Sequence, residues 1–445
     1  MLKTFPIGGV HPPENKITAS VPIKYLPVPG SVVIPLAQHI GAPAIPAVNK
    51  GDIVKTGQLL ASAKGFISSN IHSPVSGTVN RIDNALDVSG YKQPSVFIDV
   101  EGDEWLESID RSNNIIYDIR LSSEEIIRKC LDSGIVGMGG ATFPSHVKLS
   151  VPSGKKCDVL IINGVECEPF LTSDHRLMLE KGEEVLIGVK ILMKALNVSK
   201  ALIGVENNKP DAIAHLQKLS GSFEGISVHP LKVKYPQGAE KQLIKALINR
   251  EVPSGRLPID VGAIVHNVGT AFAVYEAIQK NKPLIERVVT VTGKSLQSPG
   301  NFMVRLGTPV SRLIEEAGGL PEDTEKIISG GPMMGKALIS PDIPIVKGMS
   351  GIIVVPASGS ERMEVNPCIR CTKCIQVCPM NLEPYLLMVL AQKGLFDRAE
   401  KEMVTDCMEC GCCSYTCPAG RPLLDYIRLG KTTVLNNIRK RNLKT

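Results

Sequence analysis

The sequence lacks any segment able to cross a membrane as a helix. Its longest uncharged stretch, Tyr25 to Asn49, carries Pro27, Pro29, Pro35, Pro43 and Pro46, and prolines at that density break a helix. The N-terminal MLKTFPIGGVHPPENK has no apolar core of signal-peptide length. A large excess of one charge is missing too. Lys+Arg number 50 against 44 for Asp+Glu, a net charge of +6, which requires no nucleic-acid partner. Aromatics are scarce at 4%, with a single Trp, and 12 cysteines in 445 residues are too few for a dense secreted disulfide scaffold. What is present is 43% hydrophobic and 21% charged, enough to bury real cores and too apolar for intrinsic disorder. At roughly 150 residues per domain the length suggests about three domains, and a soluble intracellular protein is the starting expectation.

The cysteines are not scattered evenly. Eight lie between residues 368 and 417 in two copies of one spacing. The first is Cys368, Cys371, Cys374 and Cys378 followed by Pro379; the second is Cys407, Cys410, Cys413 and Cys417 followed by Pro418. This is the bacterial ferredoxin run, in which the fourth cysteine ligates the other cluster. On that rule one [4Fe–4S] cluster takes Cys368, Cys371, Cys374 and Cys417, and the other takes Cys407, Cys410, Cys413 and Cys378. Zinc ribbons also use C-x2-C pairs but have no need of the third and fourth cysteine at this spacing. Cys412 is off register, and Cys130, Cys157 and Cys167 read as small core residues. The insert between the copies predicts a helix over 384–392, a stop at Gly394 and a second helix over 397–403. That pattern suggests a helical ferredoxin module of the kind that hands electrons between subunits.

From residue 121 helix and strand patterns alternate. Ser122 and Glu125 form a capping box, and Gly137, Met138, Gly139 and Gly140 make a glycine-rich loop ahead of Lys148. Such a loop either brings backbone N–H groups to a phosphate or is only a tight turn. DVLIING (158–164) reads as a buried strand, followed by the acidic turn of Glu166 and Glu168. A helix over 183–196, strands over 200–206 and 226–233, and a strand-to-helix junction over 264–270 follow. The alternation predicts an α/β layer with loops gathered at the strand C-terminal ends, where nucleotides bind. The carboxylates there orient a ribose or nicotinamide, or belong to a solvated turn.

Four segments in one order, GMGGATFPSHVKLS, INGVECEPFLTSDHR, YPQGAEKQLIKAL and AIVHNVGTAFAV, resemble the NADH-binding, FMN-carrying subunit family of respiratory complex I. The resemblance implies that Gly137, Gly139, Gly140 and Lys148 cradle the FMN phosphate. It implies that Asn163 and Asn267 contact the flavin, with Glu166, Glu168 and Glu240 near flavin and nicotinamide. Met138, Val165 and Gly269 depart from it, standing where that family has Arg, Asp and Glu.

Before this region, KGDIVKTGQLL (50–60) and IHSPVSGTV (71–79) resemble the two halves of a biotinyl/lipoyl-type barrel-sandwich fold. Lys64 between them lacks a carrier-lysine context, so the barrel is expected to dock rather than to carry. After it, residues 286–340 resemble the soluble-ligand-binding β-grasp module, Gly330 to Gly335 read as a structural turn, and 341–365 as a strand-bearing linker. The whole order resembles the C-subunit family of the Rnf complex, a membrane-bound ferredoxin:NAD oxidoreductase that moves Na⁺ or H⁺.

The fold class that follows is multi-domain α/β plus β. It comprises a barrel-sandwich hybrid (1–120), a Rossmann-like FMN/NADH-binding α/β domain (121–285), a β-grasp domain (286–355), a helical two-cluster ferredoxin domain (356–430) and a basic tail (431–445). The resemblance implies two [4Fe–4S] clusters, FMN and NAD(H), and other subunits of a membrane electron-transport complex as partners. Ferredoxin would be reached through those subunits, on the cytoplasmic face of the membrane. A non-catalytic electron wire with a vestigial nucleotide site is the alternative. The tail, with Arg428, Lys431, Arg439, Lys440, Arg441 and Lys444 and no acid from residue 427 onward, is expected to be solvated or drawn to an anionic surface.

Overall fold

Apolar runs with no polar face are the mark of strands covered on both sides. The computed structural model, which describes residues 2–442, pairs three such runs in parallel with the half-buried edge strand Ile226–Leu231, in the order Ile226–Leu231, Ala201–Glu206, Val159–Asn163, Ala263–Asn267. One face is covered by the helices Gly182–Leu196 and Val268–Gln279, whose Leu186, Val189, Val268 and Ala271 are fully buried against Leu160 and Ile162. The helix Glu240–Ile248 covers the other face with Leu243 and Ile244. The capping box at Ser122 opens the helix Ser123–Asp132 as the sequence predicts, with both reciprocal bonds made.

The barrel consists of a four-stranded sheet (Ser31–Pro35, Lys92–Val100, Gly77–Leu86, Ile53–Val54) against a three-stranded one (Ile45–Pro46, Leu59–Ser62, Ile71–His72). Val54, Leu60, Ile71, Val79, Val96 and Ile98 fill it without solvent contact. The hairpin that carries the exposed Lys64 is tied down one turn later, where His146 Nε2 lies 3.0 Å from the Phe66 carbonyl. A single buried side chain joins three modules. Lys347, from the β-grasp module, donates to the carbonyls of Asn70 in the barrel (2.9 Å) and Gly134 in the α/β domain (2.7 Å). Burial lowers its ammonium to about 7.

Three expectations are corrected. The strand expected within residues 341–365 belongs to the β-grasp domain, in keeping with its 286–355 bounds, and not to a linker. Strand Gly351–Pro356 lies inside the β-grasp sheet, between Glu286–Thr292 and Thr324–Ser329, because GIIVVP is apolar enough to be covered on both faces. The first 25 residues do not belong to the barrel alone. Lys3 bridges Leu231, Val10 bridges Tyr235, and Ile23–Tyr25 adds a parallel strand to Gly300–Arg305 of the β-grasp sheet. The basic segment from 431 is not a tail through residue 442, since Leu423–Asn442 is one helix. It buries Leu423, Ile427 and Val434 against Leu387, Leu390 and Val404 of the ferredoxin module. Arg428 and Lys431 pair with Glu409, and Arg441 pairs with Glu400. Lys444 lies outside the described residues.

The helices Gly182–Leu196 and Val268–Gln279 touch backbone to backbone at Gly188, where a Cβ would overlap the Ala271 carbonyl. Gly188→Ala must therefore force these helices away from each other, although they anchor the α/β core, and is expected to cost roughly 1–3 kcal/mol. A denaturant midpoint unchanged from the parent would show that the pair is looser than this packing implies.

Candidate functional site

The strand order reverses between Val159–Asn163 and Ala263–Asn267, the two strands that lead off in opposite directions across the sheet. Ligands of open α/β sheets sit at such a switch point, outside the strand C-termini. Asn163 and Asn267 are the last residues of these two strands and stand in register with each other. Asn267 caps its own helix by accepting from Gly269 N at 2.8 Å, and its Nδ2 donates to Asp174 Oδ2 at 2.6 Å. Asn163 Nδ2 donates to the Gly238 carbonyl at 2.8 Å while its Oδ1 accepts from Val165 N. The glycine-rich loop closes over this pair. A Cβ on Gly139 would lie 2.6 Å from Asn267 Nδ2, whereas one on Gly140 would meet nothing within 4 Å. The loop can lie this close to Asn267 only as glycine, and it leaves open space on its Gly140 side. Gly137 serves the loop itself, donating to the Phe143 carbonyl at 2.9 Å. Both Asn267 amide hydrogens are spent, on Asp174 and on the Asn163 carbonyl at 3.3 Å, so what the cradle offers a phosphate is the backbone on the open Gly140 side of the loop.

The expected charged residues divide. Lys148 and Glu240 meet at 2.7 Å, with Lys148 Nζ also 2.9 Å from the Val265 carbonyl. Glu166, at φ +47°, turns its carboxylate to the N-terminus of the helix Ser173–Glu180, accepting from Asp174 N at 2.8 Å and His175 N at 3.2 Å. Glu168 faces away from Asn163 and Asn267. It accepts from Met333 N (3.0 Å) and Met334 N (2.9 Å) of the β-grasp module, and burial raises its carboxyl above the usual range.

Several residues at this site had no marking in the sequence pattern. Asp174 supports the Asn267 amide from behind, and its carboxyl is pushed up to about 7 by burial and then by the neighbouring Glu166. Lys16 donates to the carbonyls of Glu166 (2.8 Å), Glu168 (2.9 Å) and Leu171 (2.6 Å). Burial lowers its ammonium to about 8, with the nearby Lys209 adding to the effect. Lys209, 2% exposed, donates to the Val165 carbonyl at 2.8 Å. Asp174 lies within the INGVECEPFLTSDHR segment and could have been singled out there. Lys16 lies some 150 residues upstream, where no periodicity points to it.

In the ferredoxin module Cys412, Leu387 and Ile427 line one apolar cavity together with a set of four, Cys378, Cys407, Cys410 and Cys413. This is the second of the two ligand sets expected from the spacing. The two cysteine runs also repeat in backbone conformation. Arg370 and Glu409 (φ +55° and +60°), Thr372 and Gly411 (+60° and +79°), and Asn381 and Gly420 (+54° and +60°) occupy equivalent positions of the two copies, all left-handed. Such turns curl a short chain around a centre, and a shared pattern of thiolates and turns fits iron–sulfur ligation. Cys368 and Cys371 are exposed and Cys374 and Cys417 half-buried. Cys412 is buried beside the Tyr235 carbonyl, and Cys130 and Cys157 are buried in the α/β core.

Comparison with known proteins covers every module. Residues 3–103 match the RnfC barrel sandwich hybrid domain, 130–276 the Nuo51 FMN-binding domain, 288–337 the SLBB domain and 361–418 the 4Fe-4S dicluster domain. The C subunit of the proton-translocating ferredoxin:NAD(+) oxidoreductase complex of Clostridium ljungdahlii is 49% identical over 97% of this chain and 94% of its own length. The Na(+)-translocating counterpart of Acetobacterium woodii is 43% identical over 98% of each chain. The C subunit of the ion-translocating oxidoreductase complex of Rhodobacter capsulatus is 41% identical over 90% of this chain and 78% of its own. Among solved structures, a chain of an NAD+-reducing [NiFe]-hydrogenase in the H2-reduced state superposes with a TM-score of 0.50 at 16% identity. That match covers 70% of this chain and 62% of the hydrogenase chain, and speaks to fold alone.

Asp174 supplies a pH test of this geometry. Its folded pKa lies above the ordinary carboxyl value, so ionising it opposes folding. The loss of stability begins near pH 4 and is complete above about 7. Asp174→Asn is expected to flatten the dependence of the unfolding midpoint on pH across that window. Parallel curves for variant and parent would place the Asp174 carboxyl in water.

Proposed function

The chain belongs to the C-subunit family of ion-translocating ferredoxin:NAD(+) oxidoreductase complexes, and from that premise we propose that it is the NAD(H)-facing arm of such a complex. In this reading it exchanges a hydride between NAD(H) and FMN and passes single electrons through two [4Fe–4S] clusters to or from partner subunits. When bound, FMN supplies the conversion between paired and single electrons, and the clusters supply one-electron carriage. The chain's own residues bind and orient. The backbone of Gly139 and Gly140 would hold the phosphate, and Asn163 and Asn267, tied to their own neighbours, would form the floor beneath the ring. Asp174 holds the Asn267 amide in one orientation, and Lys148, steadied by Glu240, lends positive charge at the rim. Glu166 and Glu168 shape the neighbouring loop from its two sides. Cys407, Cys410, Cys413 and Cys378 would hold one cluster and Cys368, Cys371, Cys374 and Cys417 the other.

The observation that carries this reading is the register of Asn163 with Asn267 at the switch point, directly under a glycine loop with open space above it. Among the described residues no helix is long and apolar enough to cross a membrane. Attachment through partner subunits on the cytoplasmic face is the arrangement proposed. The Lys148–Glu240 pair favours a second reading, since it occupies the charge expected for a phosphate. In that reading the chain is an iron–sulfur wire and docking subunit with a vestigial nucleotide site.

Anaerobically purified chain separates the two. The first reading expects about one FMN per chain, flavin absorbance bleached by NADH, and FMN affinity about tenfold weaker in Lys148→Ala, the order of one charge-assisted hydrogen bond. A chain with its full iron that neither binds FMN nor responds to NADH is the wire alone.

A further inference from the structure

The glycine-rich loop is an excursion of the α/β domain, closed at its base. Ser145 N donates to the Ile135 carbonyl at 3.0 Å and Gly137 N to the Phe143 carbonyl at 2.9 Å. Toward the sheet, Met138 N donates to Thr270 Oγ1 at 2.9 Å. The two ends of the loop are also held by other modules. At the far end Ile40 N of the barrel donates to the Thr142 carbonyl at 3.3 Å. Gly348 of the β-grasp module stands against the same residue, where a Cβ would lie 2.6 Å from Thr142 Cγ2 and 3.9 Å from the Gly140 carbonyl oxygen. Thr142 has little room to yield, being left-handed at φ +55° with its hydroxyl on the Ala141 carbonyl. At the near end the Gly134 carbonyl accepts from Lys347 Nζ at 2.7 Å.

Lys347 is a costly side chain for a joint between modules. It is fully buried, and no carboxylate pairs with it among the described residues. An apolar side chain of similar size would join the same surfaces without that penalty. What the amine adds is position. Its two acceptors, the carbonyls of Asn70 and Gly134, belong to the barrel and to the α/β domain. The fit at Gly134 (φ +69°) admits only glycine, since a Cβ would lie 2.4 Å from the Asn70 carbonyl oxygen and 2.8 Å from Lys347 Nζ. The backbone of Lys347 is fixed in turn. Its N–H donates to Gln38 Oε1 of the barrel at 3.1 Å, and its carbonyl accepts from the buried Arg287 guanidinium.

Resting on the reading of Gly139 and Gly140 as the phosphate loop, we propose that Lys347 is the positioning residue of that loop. With Gly348 it clamps the loop against the barrel, so the two modules flanking the α/β domain set the shape of its nucleotide site. Lys347 touches no ligand. It holds the entry of the loop at Gly134 while Gly348 and Ile40 bound the far end at Thr142, which leaves the Gly140 side as the face that meets the phosphate. Docking of the barrel then has a function, because it brings the Asn70 carbonyl and the Ile40 N–H on which the clamp closes.

Hydrogen exchange and FMN titration on the full-length chain test this separately. A loop that is in place only part of the time weakens binding by that fraction, and losing the two bonds to Lys347 is on the order of a tenfold change. Lys347→Met, close in volume but without donors, is expected to speed exchange at Gly137 and Ser145 in the flavin-free chain. It should leave Leu160 to Ile162 protected and weaken FMN about tenfold at unchanged iron content. Lys347→Gln, which keeps two N–H donors, should recover most of both losses. Gly348→Ala, whose methyl group presses on Thr142, should weaken FMN with every bond to Lys347 intact, and it decides alone where Lys347→Met yields no folded chain. Val79→Ala, in the barrel core, is the control: it should lower the unfolding midpoint yet keep the parent's loop exchange and FMN affinity. Parental exchange and affinity in both Lys347→Met and Gly348→Ala overturn the proposal. So does an equal loss in Val79→Ala, which would make Lys347 a stabiliser of the fold and nothing more. Faster loop exchange in Lys347→Met of a chain whose parent binds no FMN leaves the clamp standing and removes the flavin reading instead.

Discussion

One carboxylate ties the loop at the switch point to the other two redox-facing modules. Glu168 leaves the α/β sheet just past Asn163 and takes two backbone N–H groups from Met333 and Met334. Its Oε1 stands 3.3 Å from the Tyr235 hydroxyl, which in turn donates to the Cys410 carbonyl. Flavin-side loop, β-grasp turn and cysteine cavity therefore share one hydrogen-bonded junction. A half-buried acid with raised proton affinity is costly to hold, and two backbone donors offset that cost only while the β-grasp turn stays seated. The Gln242–Pro379 and Gly9–Val377 bonds hold the same cysteine cavity from the α/β domain and the N-terminal segment.

The same loop is held from below by two ammonium groups, Lys16 and Lys209, which collect the carbonyls of residues 165, 166, 168 and 171. Non-glycine residues with positive φ cost energy, and this loop has two of them, Glu166 and Phe170. Fixed cations beneath a strained loop preorganise the site wall, so that a ligand arriving there need not order it. The N-terminal segment that delivers Lys16 also brackets the α/β domain through Lys3 and Val10 before it joins the β-grasp sheet. It acts as a strap around the site, which explains why it does not fold with the barrel that follows it.

Much of this was legible from local pattern. Ligand spacing in the cysteine runs is local, and one apolar cavity gathers Cys407, Cys410, Cys413 and Cys378 along with the off-register Cys412. The alternation of helix and strand patterns located all four parallel strands, and the segments around Gly139, Asn163 and Asn267 do converge. The reading failed where a side chain's partner lies far along the chain. Glu166 caps a helix and Glu168 reaches a turn some 165 residues away, and a pattern of acids near a strand end cannot distinguish those fates. The basic C-terminal run looked like a free tail because its anchors, Glu409 and Glu400, are on other elements.

The sequence by itself determined the modules, their order, and which thiols and amides are available. Each of those is written in spacings of a few residues, the range over which helix, strand and ligand geometry repeat. Only the tertiary structure decided which cysteine set is enclosed and which faces outward, and which charges are neutralised inside the protein. Two runs with the same spacing carry the same local instruction. Burial is set by what packs against them, and for one run that is Tyr235, Gln242, Gly9 and Met333, brought from three distant parts of the chain by the burial of apolar surface.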